Sequence, residues 1–308
     1  MIAAQRAGVT YRYAGDRALL VEYGEMELDL RLNFRVHAVD DALRADPPAG
    51  LVETAPGFRS ILLSYDGVRP ETLIEHLDGI HDGLEERLEI PSRLIRLPVA
   101  FDDSETRKAV RRYADTIRTD APNVEGGTNV DYVVRYNGFA DREELYEAVL
   151  GTEQWAGFIG FFPGLPFMFP LDPRETVFVP KYNPSRTWTP EGAVGLGGPC
   201  YSIYPVESAG GYQLLGRTLP VYDLRGRNAV FRESPLLVRP GDRVRFHRVE
   251  EDELLRLFEN VHADRYRYEI EDGTFDVGAY LDWLPSIAAE AGERRARRDQ
   301  AAAETPVP

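Results

Sequence analysis

From Gln154 to Phe246 the chain offers only short apolar or alternating runs, at 155–162, 177–180, 193–196, 201–204, 212–218, 230–231 and Arg243–Arg248, with Gly and Pro between them. Many short strands separated by turn residues predict a closed or nearly closed β-barrel. Pro240, Gly241 and Asp242 then read as a tight turn into its last strand. Glycines fall in pairs inside this region, Gly197 with Gly198 and Gly210 with Gly211, beside Tyr201, Tyr204 and Tyr212. Such pairs mark sharp corners or places where a ligand meets main chain. The chemistry is therefore sought between Phe158 and Asn228.

Upstream the pattern differs. Val9–Tyr13 and Ala18–Tyr23 read as strands, and residues 28–45 carry Leu28, Leu32, Val36, Val39 and Leu43 at helical spacing. Residues 50–54 and Ser60–Tyr65 follow as a strand pair, then 70–88 as a second amphipathic helix. This order predicts a small α+β sandwich over 1–91, so the class expected for the chain is α+β. A barrel domain over 92–292 follows, opening with a strand at 93–101. Its helices are expected at 105–119, capped by Ser104, and at 141–151, capped by Asp141 with Glu144 three residues on. Residues 120–128 read as a loop, 250–260 as a helix, 266–271 as a strand and 277–291 as a helix. The charged segment 293–308 reads as a flexible tail.

Composition excludes some functions. With 36 basic against 51 acidic residues the net charge is −15, a field that repels phosphate backbones and anionic membranes. The single cysteine, Cys200, cannot form an internal disulfide, which fits a reducing compartment. No run approaches the roughly 18 apolar residues of a membrane span, and the opening residues lack the pattern of an export leader. The expectation is a cytoplasmic protein without nucleic-acid or membrane partners.

Lysine occurs only at Lys108 and Lys181, because arginine supplies nearly all the positive charge. A lysine retained against that preference, in the run Lys181-Tyr182-Asn183-Pro184-Ser185-Arg186, is a candidate functional cation; its compact charge differs from the arginine fork. Arg186 and Arg217 can each hold a carboxylate or serve a structural ion pair. Glu207, beside Gly210 and Gly211, can accept from an amide substrate or sit solvated in a loop. Tyr201, Tyr204, Tyr212 and Gln213 can hydrogen-bond a ligand, although tyrosines can equally fill a barrel. Cys200 has no nearby base in sequence and reads as a buried thiol. No HExxH, HxH, GxxxxGK[ST] or GxGxxG pattern is present, so neither a metal centre nor a self-contained nucleotide site is expected.

The run from Lys181 to Gly198, followed by 201–220, resembles the first half of the carboxyltransferase region of urea carboxylase, a family that includes allophanate hydrolase subunit 1 and the B component of 5-oxoprolinase. The likeness extends to 13–17, 21–37 and 275–284, and the family's turn and glycine-rich strands stand here at Pro163-Gly164-Leu165-Pro166, 195–198 and 210–218. The resemblance implies a small α+β domain followed by a cyclophilin-like β-barrel. It also implies that the chain is half of an enzyme, the first subunit of a biotin-dependent carboxyltransferase acting on urea or a urea-like amide. Carboxybiotin would arrive on a partner protein, a biotin carboxylase and carrier, and ATP only through a partner subunit; a homologous second-half subunit would complete the site. For that reaction Lys181 or Arg217 is expected to face the carboxylate and Glu207 or Tyr204 the amide N–H. Tyr212, Gln213 and the backbone of Gly197 and Gly198 are expected near the oxyanion, with Tyr182, Asn183, Arg186 and Tyr201 as substrate contacts. The alternatives within the family are the B component of an ATP-hydrolysing 5-oxoprolinase and, outside enzymes, a module that binds and inhibits a histidine kinase.

Overall fold

The computed structural model describes residues 2–84 and 89–308, which form two compact units, 1–90 with 276–278 and 91–275 with 279–308.

The first unit is a five-stranded antiparallel sheet in the order Ile2–Arg6, Val9–Tyr13, Ala18–Tyr23, Ser60–Tyr65, Leu51–Pro56. Alternate strand residues are buried, as Leu19, Val21 and Tyr23 are, and they pack with Val36, Val39 and Leu43 of the helix Leu30–Ala45 and Leu73 and Leu77 of the helix Pro70–Gly83. Each fully buried aliphatic side chain contributes about 1.5–3 kcal/mol. Asp29 caps the first helix, its carboxylate accepting from the Arg31 amide, so the helix starts two residues later than periodicity alone suggests. The second helix ends at Gly83, and the expected span 85–88 lies outside the described residues.

In the second unit seven strands close into a barrel. Around its wall they run Leu94–Phe101, Gln213–Thr218, Ala193–Gly197, Cys200–Ile203, Pro166–Pro170, Gln154–Ile159 and Arg243–Arg248, the last returning parallel to the first with Arg243 opposite Leu94. Leu97, Val99, Met168, Val194, Leu196, Tyr201, Val244 and Phe246 belong to its buried core. The α+β class and the barrel are thus both observed. Closure has a local cause at Gly216, where an added Cβ would stand 2.1 Å from the Ala100 carbonyl oxygen. Leu215 is an extra residue between the partners of Val194 and Gly195, and such a bulge bends the strand.

Several expected elements change. Asp103, not Ser104, caps the helix Ser104–Thr116, accepting from the Glu105 and Thr106 amides. A helix at Val130–Asn137, closed by Gly138 in the left-handed region at φ 68°, was not expected; its valines and short length give a weak periodic signal. Residues 177–180 form a single bridge, Val179 with Gly198, rather than a strand. Residues 230–231 lie in the 3₁₀ turn Ala229–Phe231, capped by Asn228, and 266–271 shrinks to the strand Glu269–Glu271. The segment read as a tail is helical: the helix Val277–Glu304 runs through most of it. Arg294 pairs with Glu175 and Glu290 and Arg297 with Glu144, so the charges that suggested solvation instead tie the helix down. Among the described residues no helix is long and apolar enough to cross a membrane.

Candidate functional site

A cavity of about 160 Å³ opens in the second unit. Its walls are aromatic and aliphatic, from Phe161, Leu165, Phe167, Tyr204 and Tyr212, with Lys181, Ser185 and Ser202 as the polar side chains. The wall continues outward through Phe158, stacked on Phe167 at 4.4 Å.

One glycine of each pair makes room for a tyrosine, and Gly211 lines the cavity. An added Cβ at Gly197 would lie 2.4 Å from Cδ1 of Tyr212, and one at Gly210 would lie 2.3 Å from the Tyr204 hydroxyl. The two rings therefore lie directly on the glycine backbone. A Gly197→Ala variant must displace the Tyr212 ring, and overpacking of this kind costs about 1–3 kcal/mol. Urea denaturation of that variant against wild type should show the loss; an unchanged midpoint would mean that the ring is free to move.

A small antiparallel ribbon, Arg186–Thr189 against Ser208–Gly210, borders the cavity. Arg186 is 1 % exposed. It donates from Nη1 to the Tyr212 carbonyl at 2.6 Å and from Nη2 to Thr189 Oγ1 at 3.2 Å, with its guanidinium 4.4 Å from the Tyr182 ring centre. Both Nη atoms are thus spent on the protein, and Arg186 positions the ribbon. The buried Tyr182 hydroxyl exchanges hydrogen bonds with the Asn129 amide, whose oxygen also accepts from the Leu214 N–H. Gln213 donates to the Pro180 carbonyl at 2.8 Å and accepts from Asn123 at 3.0 Å. Segment 180–186 is therefore pinned from beneath, while Lys181 is exposed and holds its ammonium 5.2 Å from the Tyr212 ring centre.

The other expected residues lie elsewhere. Tyr201 is in the barrel core, its hydroxyl without a hydrogen-bond partner among the described residues. Asn183 is exposed, its carbonyl accepting from Arg118. Gly198 turns the hairpin at φ 60° and bridges to Val179. Arg217 is buried against Asp103, Nε to Oδ1 3.0 Å, with its guanidinium 5.1 Å from the Phe258 ring centre. Glu207 is exposed on the turn before the ribbon's second strand and does not line the cavity. Of the four proposed catalytic side chains, the cavity brings together Lys181 and Tyr204.

Burial raises the pKa of both cavity phenols, Tyr204 and Tyr212, with Cys200 adding to the effect at Tyr212. They stay protonated at neutral pH, so each can donate a hydrogen bond and neither is a base. Burial also pushes the Cys200 thiol up to about 12. Its thiolate fraction at pH 8 is then roughly a thousandfold below that of a free cysteine. Ellman's reagent should accordingly leave the native chain unlabelled at pH 8 and titrate one thiol after denaturation; prompt labelling of native protein would contradict this burial.

Sequence reasoning missed Phe161, Leu165, Phe167 and Ser202 as lining residues, and Asp103, Asn123 and Asn129 as supports. The Pro163-Gly164-Leu165-Pro166 turn was the available signal for the first group; the supports arrive from distant helices and carry no local one.

Residues 9–231 match the family described as carboxyltransferase domain, subdomain C and D. The chain is 39% identical over 281 residues to the urea amidolyase of Saccharomyces cerevisiae, across 90% of this chain and 15% of that protein. It is 28% identical over 262 residues to the B component of 5-oxoprolinase from Bacillus subtilis, across 79% of this chain and 95% of that one. The crystal structure of Kluyveromyces lactis urea carboxylase superposes with a TM-score of 0.86 at 34% identity, covering 96% of this chain and 27% of that one. The chain therefore spans a small part of the length of the yeast relatives.

Proposed function

The chain belongs to the carboxyltransferase family of subdomains C and D, and we propose that it is the first-half subunit of a biotin-dependent carboxyltransferase acting on urea or a urea-like amide. The observation that carries this reading is Lys181, exposed and without an ion-pair partner among the described residues, poised over Tyr212 at an aromatic-walled cavity of about 160 Å³. A slot with flat apolar walls, one cation and hydroxyl donors fits a carboxylated ureido ring.

Carboxybiotin, presented by a partner carrier protein, would supply the carboxyl group. Lys181 holds its carboxylate, while the protonated phenols of Tyr204 and Tyr212 supply donors toward the developing ureido oxyanion. Arg186, Tyr182 and Gln213 keep these groups in place. Because Glu207 does not line the cavity and both phenols are protonated, no carboxylate or imidazole among the described residues lines it as a base for the amide nitrogen. The homologous second-half subunit supplies that group in this reading, and ATP is consumed on a partner.

A second reading, the B component of a 5-oxoprolinase, is supported by the likeness to the Bacillus subtilis protein, which extends over 95% of that protein. ATP turnover by the chain combined with a second-half subunit and a biotin carboxylase, with urea and with 5-oxoproline, separates the two. Urea-dependent turnover blocked by avidin is expected; turnover on 5-oxoproline that avidin leaves untouched would select the second reading.

A further inference from the structure

Phe161 carries two local penalties at once. Its side chain is 69% exposed, and its backbone is in the left-handed region at φ 65°, where a bulky side chain is an outlier. An exposed phenyl group gains little from water, and glycine would relieve the backbone. Yet the residue is held firmly. The Phe162 amide donates to the Gly160 carbonyl at 2.7 Å, and the Gly160 and Leu165 amides close the same turn at 3.1 Å. The Phe161 ring stands edge to face on Phe162 at 4.7 Å, and Phe162 packs on the cluster of Leu165, Tyr204 and Leu214. The ring also lines the cavity that Lys181 borders. The fold thus spends strain to present one rigid aromatic face at the mouth of the cavity.

We propose that Phe161 is a ligand-contact residue whose ring stacks on the ureido plane of biotin and holds it in the cavity beside Lys181. This rests on the carboxyltransferase reading above. Aromatic faces favour flat, polarisable partners, and a preformed ring loses little rotamer freedom on binding. A structural phenylalanine and a ligand-binding one predict opposite signs for the same substitution. If the ring served packing, Phe161→Gly would destabilise the chain; if it serves a ligand, relief of the left-handed backbone stabilises the free chain while binding weakens.

The test uses Phe161→Gly and Phe161→Trp. The melting midpoint of the full chain should rise by about 2 °C in Phe161→Gly. The Kd for free biotin, titrated calorimetrically into the chain assembled with its second-half subunit, should rise about tenfold in Phe161→Gly, as expected for loss of one stacking ring, and stay near wild type in Phe161→Trp. A lower melting midpoint, an unchanged biotin Kd, or a variant that weakens subunit assembly instead of biotin binding would each overturn the assignment. If the wild-type assembly binds biotin and carries out urea-dependent turnover while both variants behave as wild type, this inference falls and the proposed function stands. A wild-type assembly that neither binds biotin nor uses it removes both.

Discussion

Lys181→Ala is expected to lower kcat/KM for carboxyl transfer by roughly 10–150-fold, the loss on removing a charged hydrogen bond of about 1.5–3 kcal/mol to the carboxylate of carboxybiotin, while leaving the melting midpoint unchanged. The second half of that expectation is what makes it informative. Lys181 is exposed, and the segment that carries it is anchored by its neighbours: Tyr182 through Asn129, Pro180 through Gln213, and Arg186 through the Tyr212 carbonyl. Removing an ammonium from the rim leaves those bonds intact. Lys181→Arg restores the charge with a larger, planar head and should recover only part of the rate. Steady-state kinetics and calorimetry on the two variants decide it; an Ala variant that transfers at the wild-type rate removes the lysine from the mechanism.

The largest stability effect is expected at Arg217 and Asp103. Asp103 is 1 % exposed, caps the helix Ser104–Thr116, accepts from Thr106 Oγ1 at 2.7 Å, and pairs with Arg217 at 3.0 Å. Burial pushes its carboxyl above the usual range, opposed by Arg217 and by the hydrogen bonds from Thr106 and Glu105. Arg217→Met leaves that carboxylate buried without its counter-charge, a change that typically costs about 3–5 kcal/mol. The loss should depend on pH. Without Arg217 the folded-state pKa of Asp103 rises further above its unfolded value, so stability is retained at low pH and lost as pH rises through the folded-state pKa. Urea denaturation should therefore show a larger deficit at pH 8 than at pH 5. Asp103→Asn combined with Arg217→Met removes both charges and should recover part of the loss, mostly at the higher pH. A deficit independent of pH would indicate lost packing on Phe258 as the dominant cause.

The barrel was legible in the sequence because short runs between Gly and Pro leave few other folds, and Arg243–Arg248 kept its boundaries for that reason, as Ser60–Tyr65 did in the first unit through its alternation. Elements without a local signature were not legible. The helix Val130–Asn137 has valines where a helix former is usual, and the tail's charges resemble a solvated segment until Glu144, Glu175 and Glu290 stand opposite them. In the site, Lys181 stood out through composition alone. The same argument does not extend to Lys108, which pairs with Glu105 at 3.2 Å and lies over Trp188. The glycine pairs turned out to do more than one job: Gly198 makes a corner, as expected, Gly211 lines the cavity, and Gly197 and Gly210 accommodate Tyr212 and Tyr204, a relation with no signal in the sequence. Arg186 and Arg217 could not be told from ligand-binding arginines by sequence, since Tyr212 and Asp103 reach them only through the fold.

The most direct measurement follows label from carrier to acceptor. A carrier protein bearing ¹⁴C-carboxybiotin is mixed with the assembled two-subunit enzyme and urea, without ATP, and the label is recovered from protein and from small molecules. Transfer of label to urea, dependent on this chain and abolished by Lys181→Ala, is the predicted result. Label that remains on the carrier in the presence of urea, or that leaves it equally well in the absence of this chain, would contradict a carboxyltransferase role.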